Sequence, residues 1–192
     1  MDVIDIDNDE HGWFDLLPAG SDQVTRMASL WKDEERGYRA VLVDFPDDWR
    51  RDLVGNQPAQ EEMVSLTGAM YINGLRAAVG QLLVGVPHGT RSATYNDPDT
   101  RVLVWFSGES GGWQDGPHDP PLDMEVVDLV PGVVRPPAEG MVGSIEVHED
   151  VAGKTFDVDV DLLWLHERKF VHLAPGEVAP DAGGLCVVKR WA

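Results

Sequence analysis

Apolar and polar positions along the chain break into short runs of about four to eight residues, the length and texture of strands. VTRMASLW, YRAVLVDF, EMVSLTG, AMYINGL, GQLLVGV and RVLVWFSG form one series. GSIEVHE, TFDVDVDLLWL, KFVHLA and LCVVKRW form a second. Each holds β-branched or aromatic side chains, and Gly, Pro, Asn or Asp bounds it. No segment carries an apolar stripe of helical period; the best helical candidate, Asp47–Asp52, is short. Many short strands at regular spacing predict an all-β, antiparallel, double-sheet or closed architecture.

Between the two series the texture changes. Residues 109–140 are rich in Gly and Pro and carry Trp113 and His118, so they read as a flap or linker. Residues 1–23 read as an acidic arm or an added edge strand, 24–108 as the core, and 141–192 as additional strands. A length of 192 residues suits one domain with a sizeable core. FVHLAPGEVAP echoes VLVDFPDDWRR, too faintly to define a repeat.

Charge narrows the function classes. Lys and Arg number 15 against 34 Asp and Glu, a formal charge of −19. Such a chain repels phosphate backbones and anionic headgroups, so neither nucleic acid nor membrane is expected as a partner. The most apolar stretch, Ala77–Pro87, is too short to span a bilayer. The N-terminal MDVIDIDNDEHG does not read as a secretory signal. Cys186 stands alone, which excludes an intrachain disulfide and suits a reducing cytoplasm.

Three patterns invite chemistry and do not carry it. Gly108-Glu109-Ser110-Gly111-Gly112 fits the G-x-S-x-G nucleophile pattern and looks like a chymotrypsin-type serine site. The GWQDGPHDPP that follows cannot form the helix of a nucleophile elbow, and no matching histidine motif lies upstream. The six histidines show no metal-binding spacing. Asp157, Asp159 and Asp161 alternate with aliphatics, which predicts a solvated acidic sheet face beside cross-strand Lys or Arg rather than a calcium site.

A longer pattern runs from Gly37 to Gly108. YRAVLVDFPDDWRR supplies a strand and a proline turn. Glu61 precedes Gly68 in EEMVSLTG, and Gly80, Pro87, Gly89 and Asn96 punctuate GQLLVGVPHGTRSATYN. This segment resembles the cupin superfamily, in particular the small bacterial cupins related to the ChrR anti-sigma factor and to acetylacetone-cleaving dioxygenases. Their first motif reads G-x5-H-x-H-x3–4-E-x6-G and their second G-x5-P-x-G-x2-H-x3-N; here one extra residue separates Gly80 from Pro87. Gly55 and Gln57 (or Val54 and Asn56) stand at the first two ligand histidines, and Ser92 stands at the third. Of the ligand set Glu61 alone remains.

The resemblance implies an antiparallel double-stranded β-helix, the cupin jelly-roll barrel, and a homodimer. Imidazoles supply affinity for transition metals, so their replacement implies a barrel with no metal and no cofactor. Glu61 is then the candidate general acid or base, with His88 as a neighbouring catalytic candidate; the alternative is that Glu61 only pairs with an internal Arg and the barrel is a packed core. Met63 and Ser65 share its strand face, and Ser92, Thr94 and Asn96 share another. Trp49 and Gln57 in the preceding turn, and Trp105, complete the candidate substrate-binding set. A carboxylate enclosed in such a barrel loses hydration. The reading is a metal-independent enzyme on a small, largely apolar substrate: a cyclase, isomerase or dehydratase of specialised metabolism. Gln57, Ser92 or Asn96 would hydrogen-bond a carbonyl or hydroxyl. The alternatives are a metal-dependent dioxygenase with atypical ligands and a non-catalytic sensor module.

Overall fold

A computed structural model describes every residue except Met1, Asp9 and Ser110. Its described residues hold nineteen strands and no helix. Contacts gather into two compact units, residues 10–127 and residues 128–192 together with those before Glu10. The first strand, β1 (Ile4–Asp5), belongs to the C-terminal unit.

The N-terminal unit contains β2 (Phe14–Leu16), β3 (Thr25–Asp33), β4 (Tyr38–Asp44), β5 (Arg50–Arg51), β6 (Gly55–Asn56), β7 (Gln60–Thr67), β8 (Ala69–Ile72), β9 (Leu75–Ala78), β10 (Gln81–Gly85), β11 (Thr94–Asn96), β12 (Arg101–Ser107), β13 (Gln114–Asp115) and β14 (Met124–Asp128). One sheet runs β14-β10-β7-β12-β4-β3-β2, a second β5-β11-β8-β9, and β13 pairs with β6. The strand orders run from edge to edge, so no sheet closes on itself as a barrel would. Val41, Val43, Met63, Leu83 and Val104 from the larger sheet meet Met70, Ile72 and Ala77 from the smaller in one core. The central strands are buried on both faces, with Leu42, Val64 and Leu103 fully enclosed on the face opposite that core. That burial explains why YRAVLVD and RVLVWFS read as continuous apolar runs rather than alternating ones.

Three expectations change here. AMYINGL is not one strand: β8 turns into β9 at Asn73 and Gly74, both left-handed (φ 54° and 79°). Asn-Gly favours that two-residue hairpin turn. Asp47–Asp52 is not helical; Trp49 N–H donates to the Pro46 carbonyl in a turn, and β5 follows. Residues 109–140 carry more structure than their Gly and Pro content predicts, since β13 and β14 both join sheets of this unit.

The C-terminal unit adds β15 (Gly132–Arg135), β16 (Ser144–His148), β17 (Val160–Trp164), β18 (Lys169–Leu173) and β19 (Cys186–Arg190) in the order β1-β18-β17-β19-β16-β15. Val160, Leu162, Trp164, Val171 and Val188 cluster on one face. The aspartates do not form a solvated row. Asp161 is fully buried, and its Oδ1 lies 2.8 Å from His172 Nδ1. Asp159 also faces His172, while Asp157 lies outside the strand and pairs with Arg190. β17 begins only at Val160, so strand period covers the last aspartate of the three alone.

The echo noted in the sequence has a structural counterpart. β3–β4 and β17–β18 are both hairpins closed by four residues, of which the last is left-handed: Gly37 (φ 68°) and Arg168 (φ 56°). In each, the second strand runs out into a proline turn, at Pro46 and Pro175. At the chain start, β1 pairs with β18 and β2 with β3, so the arm supplies edge strands.

Candidate functional site

Strand period builds a cavity in the N-terminal unit. β4 turns Arg39, Val41 and Val43 inward, β7 turns Glu61 and Met63, and β12 turns Val104 and Phe106. Met70 and Ile72 of β8 line the facing wall, and Thr25 and Met27 of β3 line the flank. The cavity volume is about 700 Å³. That is the size and mostly apolar character of a small-molecule pocket.

The polar groups are few and organised around Glu61. Its Oε2 accepts from Arg91 Nη2 at 2.8 Å and from Gln57 Nε2 at 3.3 Å. Arg91 is 1% exposed and also donates to the Gly89 carbonyl at 2.9 Å. Gly85 sits opposite Glu61 across β7 and β10 and leaves room for Met124, whose methyl a Cβ there would approach to 2.5 Å. The carboxylate is thus the anion of a largely buried ion pair, fixed from two sides and open to the cavity.

Two further guanidinium groups face the same space. Loss of hydration pushes Arg51 down to about 10, against the attraction of Glu61 and with the repulsion of Arg91. Burial likewise lowers Arg39, again opposed by Glu61. Arg39 stacks over Phe106 and donates to the carbonyls of Gly37 and Gly108. In a chain of net charge −19, this cavity gathers cations.

Of the residues singled out from the sequence, Glu61, Gln57, Met63, Trp49 and Thr94 line the cavity. The others do not. His88 occupies a left-handed turn (φ 60°), where its Nδ1 lies 3.1 Å from Asn56 Oδ1 and its ring 5.1 Å from that of His118. Ser65 lies fully buried, donating to the Ala77 carbonyl. Ser92 is held by Asn73 Oδ1, through both its N–H and its hydroxyl. The Asn96 amide donates to the carbonyls of Pro46 and Asp97. Trp105 lies between Val104 and Phe106, so strand alternation turns it to the opposite sheet face. Ser110 lies outside the described residues. Cys186 is buried in the C-terminal unit, and burial pushes its thiol up, away from the nucleophilic form.

The sequence allowed for an internal Arg beside Glu61, which is Arg91, but singled out none of Arg39, Arg51 and Arg91. Arg39 was within reach of it, because it shares strand period with Val41 and Val43. Arg51 and Arg91 border turns, where period gives no direction.

A transition-metal ion does not fit this donor set. Among the described residues no group of three or more His, Cys, Asp or Glu side chains could hold one. The cavity offers one carboxylate with a guanidinium already on it, and a second cation competes with that pair.

No family model and no curated protein matches the sequence. Solved structures share its fold. A candidate dioxygenase from Nostoc punctiforme superposes with TM-score 0.74 at 11% identity, over 98% of this chain and 81% of that one. The YlbA protein from Escherichia coli gives 0.56 at 10% identity, over 98% and 89%. A candidate glyoxylate-induced protein from Pseudomonas aeruginosa gives 0.51 at 11%, over 92% and 75%. The pattern read from the sequence lies within residues 10–127, whereas the structural likeness runs through both units, and the chain has the cupin fold, an antiparallel all-β jelly roll.

Proposed function

We propose that the N-terminal unit is a metal-independent enzyme on a small organic substrate, of cyclase, isomerase or lyase type. One observation carries this reading: among the described lining residues a single carboxylate, Glu61, enters a mostly apolar cavity while Arg91 and Gln57 fix its position. An oriented carboxylate beside a desolvated substrate can accept a proton and return it elsewhere on the same molecule, which is the core of isomerisation and elimination. Apolar walls exclude water from the reacting atoms and orient the carbon skeleton. Arg91 acts through Glu61 as a positioning residue.

The candidate dioxygenase with the same fold raises metal-dependent oxidation as an alternative; against it, among the described residues no group of three or more His, Cys, Asp or Glu could hold the metal. A sensor module would use the same cavity without turnover. We extend the proposal to a homodimer, in keeping with the resemblance, and to the cytoplasm, in keeping with the lone Cys186.

The test is turnover on a small-molecule extract of the host, followed by mass spectrometry with EDTA present. The wild type should consume one compound and release an isomer or a dehydrated product. Turnover abolished by the chelator contradicts the proposal, and binding without consumption favours the sensor.

A further inference from the structure

The geometry points to a carboxylate as the group this cavity holds, with Arg51 as its receptor and an apolar body filling the remaining space. This rests on reading the cavity as a small-molecule site and adds the chemical class of the occupant. Arg51 lines the cavity and is 9% exposed. Among the described residues no carboxylate pairs with it. Its two hydrogen bonds are long, from Nη1 to the Ala19 carbonyl and from Nη2 to Thr94 Oγ1, both 3.4 Å. Its buried Nε has no partner. A guanidinium so deeply enclosed is costly unless a counter-charge joins it. The contrast with Arg91 is direct: that still more deeply buried group has Glu61 at 2.8 Å.

Arg51 is also held ready. Its guanidinium carbon lies 4.8 Å from the ring centre of Trp113 and 5.9 Å from that of Trp49. Trp113 rests where two glycines leave room: a Cβ on Gly20 would come within 2.9 Å of its ring and one on Gly55 within 2.0 Å. A planar fork fixed between indoles, with only one long hydrogen bond on each Nη, matches the two oxygens of a carboxylate. Such preorganisation lowers the cost of binding. A monoanion suits the site better than a dianionic phosphate, because Glu61 in the same cavity repels a second negative charge. Met27, Val41, Val43, Met63, Ile72 and Val104 then receive a hydrocarbon body.

Three probes of equal chain length separate these statements: decanoate, decan-1-ol and decyl phosphate. Each is titrated against tryptophan fluorescence, which Trp49 and Trp113 beside Arg51 report, with melting followed on the same samples. Decanoate should bind the wild type about tenfold tighter or more than either other probe. Arg51→Met should bind decan-1-ol as before, lose the preference for decanoate, and melt no lower than wild type. Arg51→Lys, which keeps charge without the fork, should show an intermediate preference and decides the matter if Arg51→Met does not fold. Equal binding of decanoate and decan-1-ol leaves the cavity reading intact and overturns the carboxylate receptor. Tightest binding of decyl phosphate overturns the monoanion, and a preference retained in both variants overturns Arg51. Failure of all three probes removes the cavity reading and this inference together.

Discussion

Glu61 and Arg91 bind each other across the boundary between cavity and core, and that shared role sets what substitutions do. Replacing Glu61 by Gln leaves a buried guanidinium without its counter-charge, which should cost about 3–5 kcal/mol of stability. Turnover should fall about 10²–10⁴-fold if the carboxylate moves the proton. The two effects are separated by Glu61→Gln/Arg91→Met, where both charges are gone: urea denaturation should show most of the stability restored while turnover stays lost. Recovery of turnover in the double variant would remove Glu61 from the chemistry. Arg51 is the opposite case, a buried cation that no carboxylate among the described residues pairs with. Its proton affinity is lowered on folding, from the ordinary guanidinium range to about 10, so folding is penalised by the charge. Below about pH 10 the group is charged in both states and the full penalty is present; as pH rises further the folded protein loses the proton first and the penalty is relieved. Arg51→Met should therefore be more stable than wild type near neutral pH, by about 1–2 kcal/mol after the loss of two long hydrogen bonds. Denaturation curves of the two proteins should draw together above about pH 10. A less stable variant at neutral pH would show that stacking on Trp49 and Trp113 outweighs the burial cost.

At the scale of elements, the stretch 109–140 gives the clearest expectation. β14 and β15 are tied into sheets, while Pro136–Gly140 between β15 and β16 is exposed and outside any strand. Limited digestion with a glutamate-specific protease should cut after Glu139 before it cuts after Glu125 within β14, with fragments read by mass spectrometry. First cleavage at Glu125 would mean that β14 is not held to β10. This stretch also shows where the sequence was opaque. MEVVD and GVVR are short and lie among prolines and glycines, so their strand character was hidden by their surroundings. The central strands were legible because burial on both faces makes them uniformly apolar. The same uniformity hid the β8–β9 hairpin, whose Asn-Gly turn was absorbed into a continuous run. In the site, spacing to Gly68 picked out Glu61, and strand alternation added Met63. Spacing could not exclude Ser92 and Asn96, because backbone carbonyls and the Asn73 side chain claim their polar atoms. Arg51 and Arg91 were invisible for another reason: residues bordering turns take their direction from tertiary packing, which no local pattern encodes.

For the whole molecule, the likeness to solved structures covers both units, yet the described cavity with organised charge belongs to the N-terminal one. The C-terminal unit keeps a comparable hairpin and proline turn but places the buried Asp161, paired with a half-buried His172, and the buried Cys186 in its sheet. The account therefore depends on one replacement, in which a guanidinium occupies the carboxylate that a metal ion would need. Metal content tests this most directly. Protein purified without chelators and without metal-affinity chromatography, dialysed and analysed by plasma mass spectrometry, should hold far less than one equivalent of iron, manganese, nickel, copper or zinc per chain. Close to one equivalent of any of these, surviving dialysis and lost together with activity in Glu61→Gln, would contradict the account.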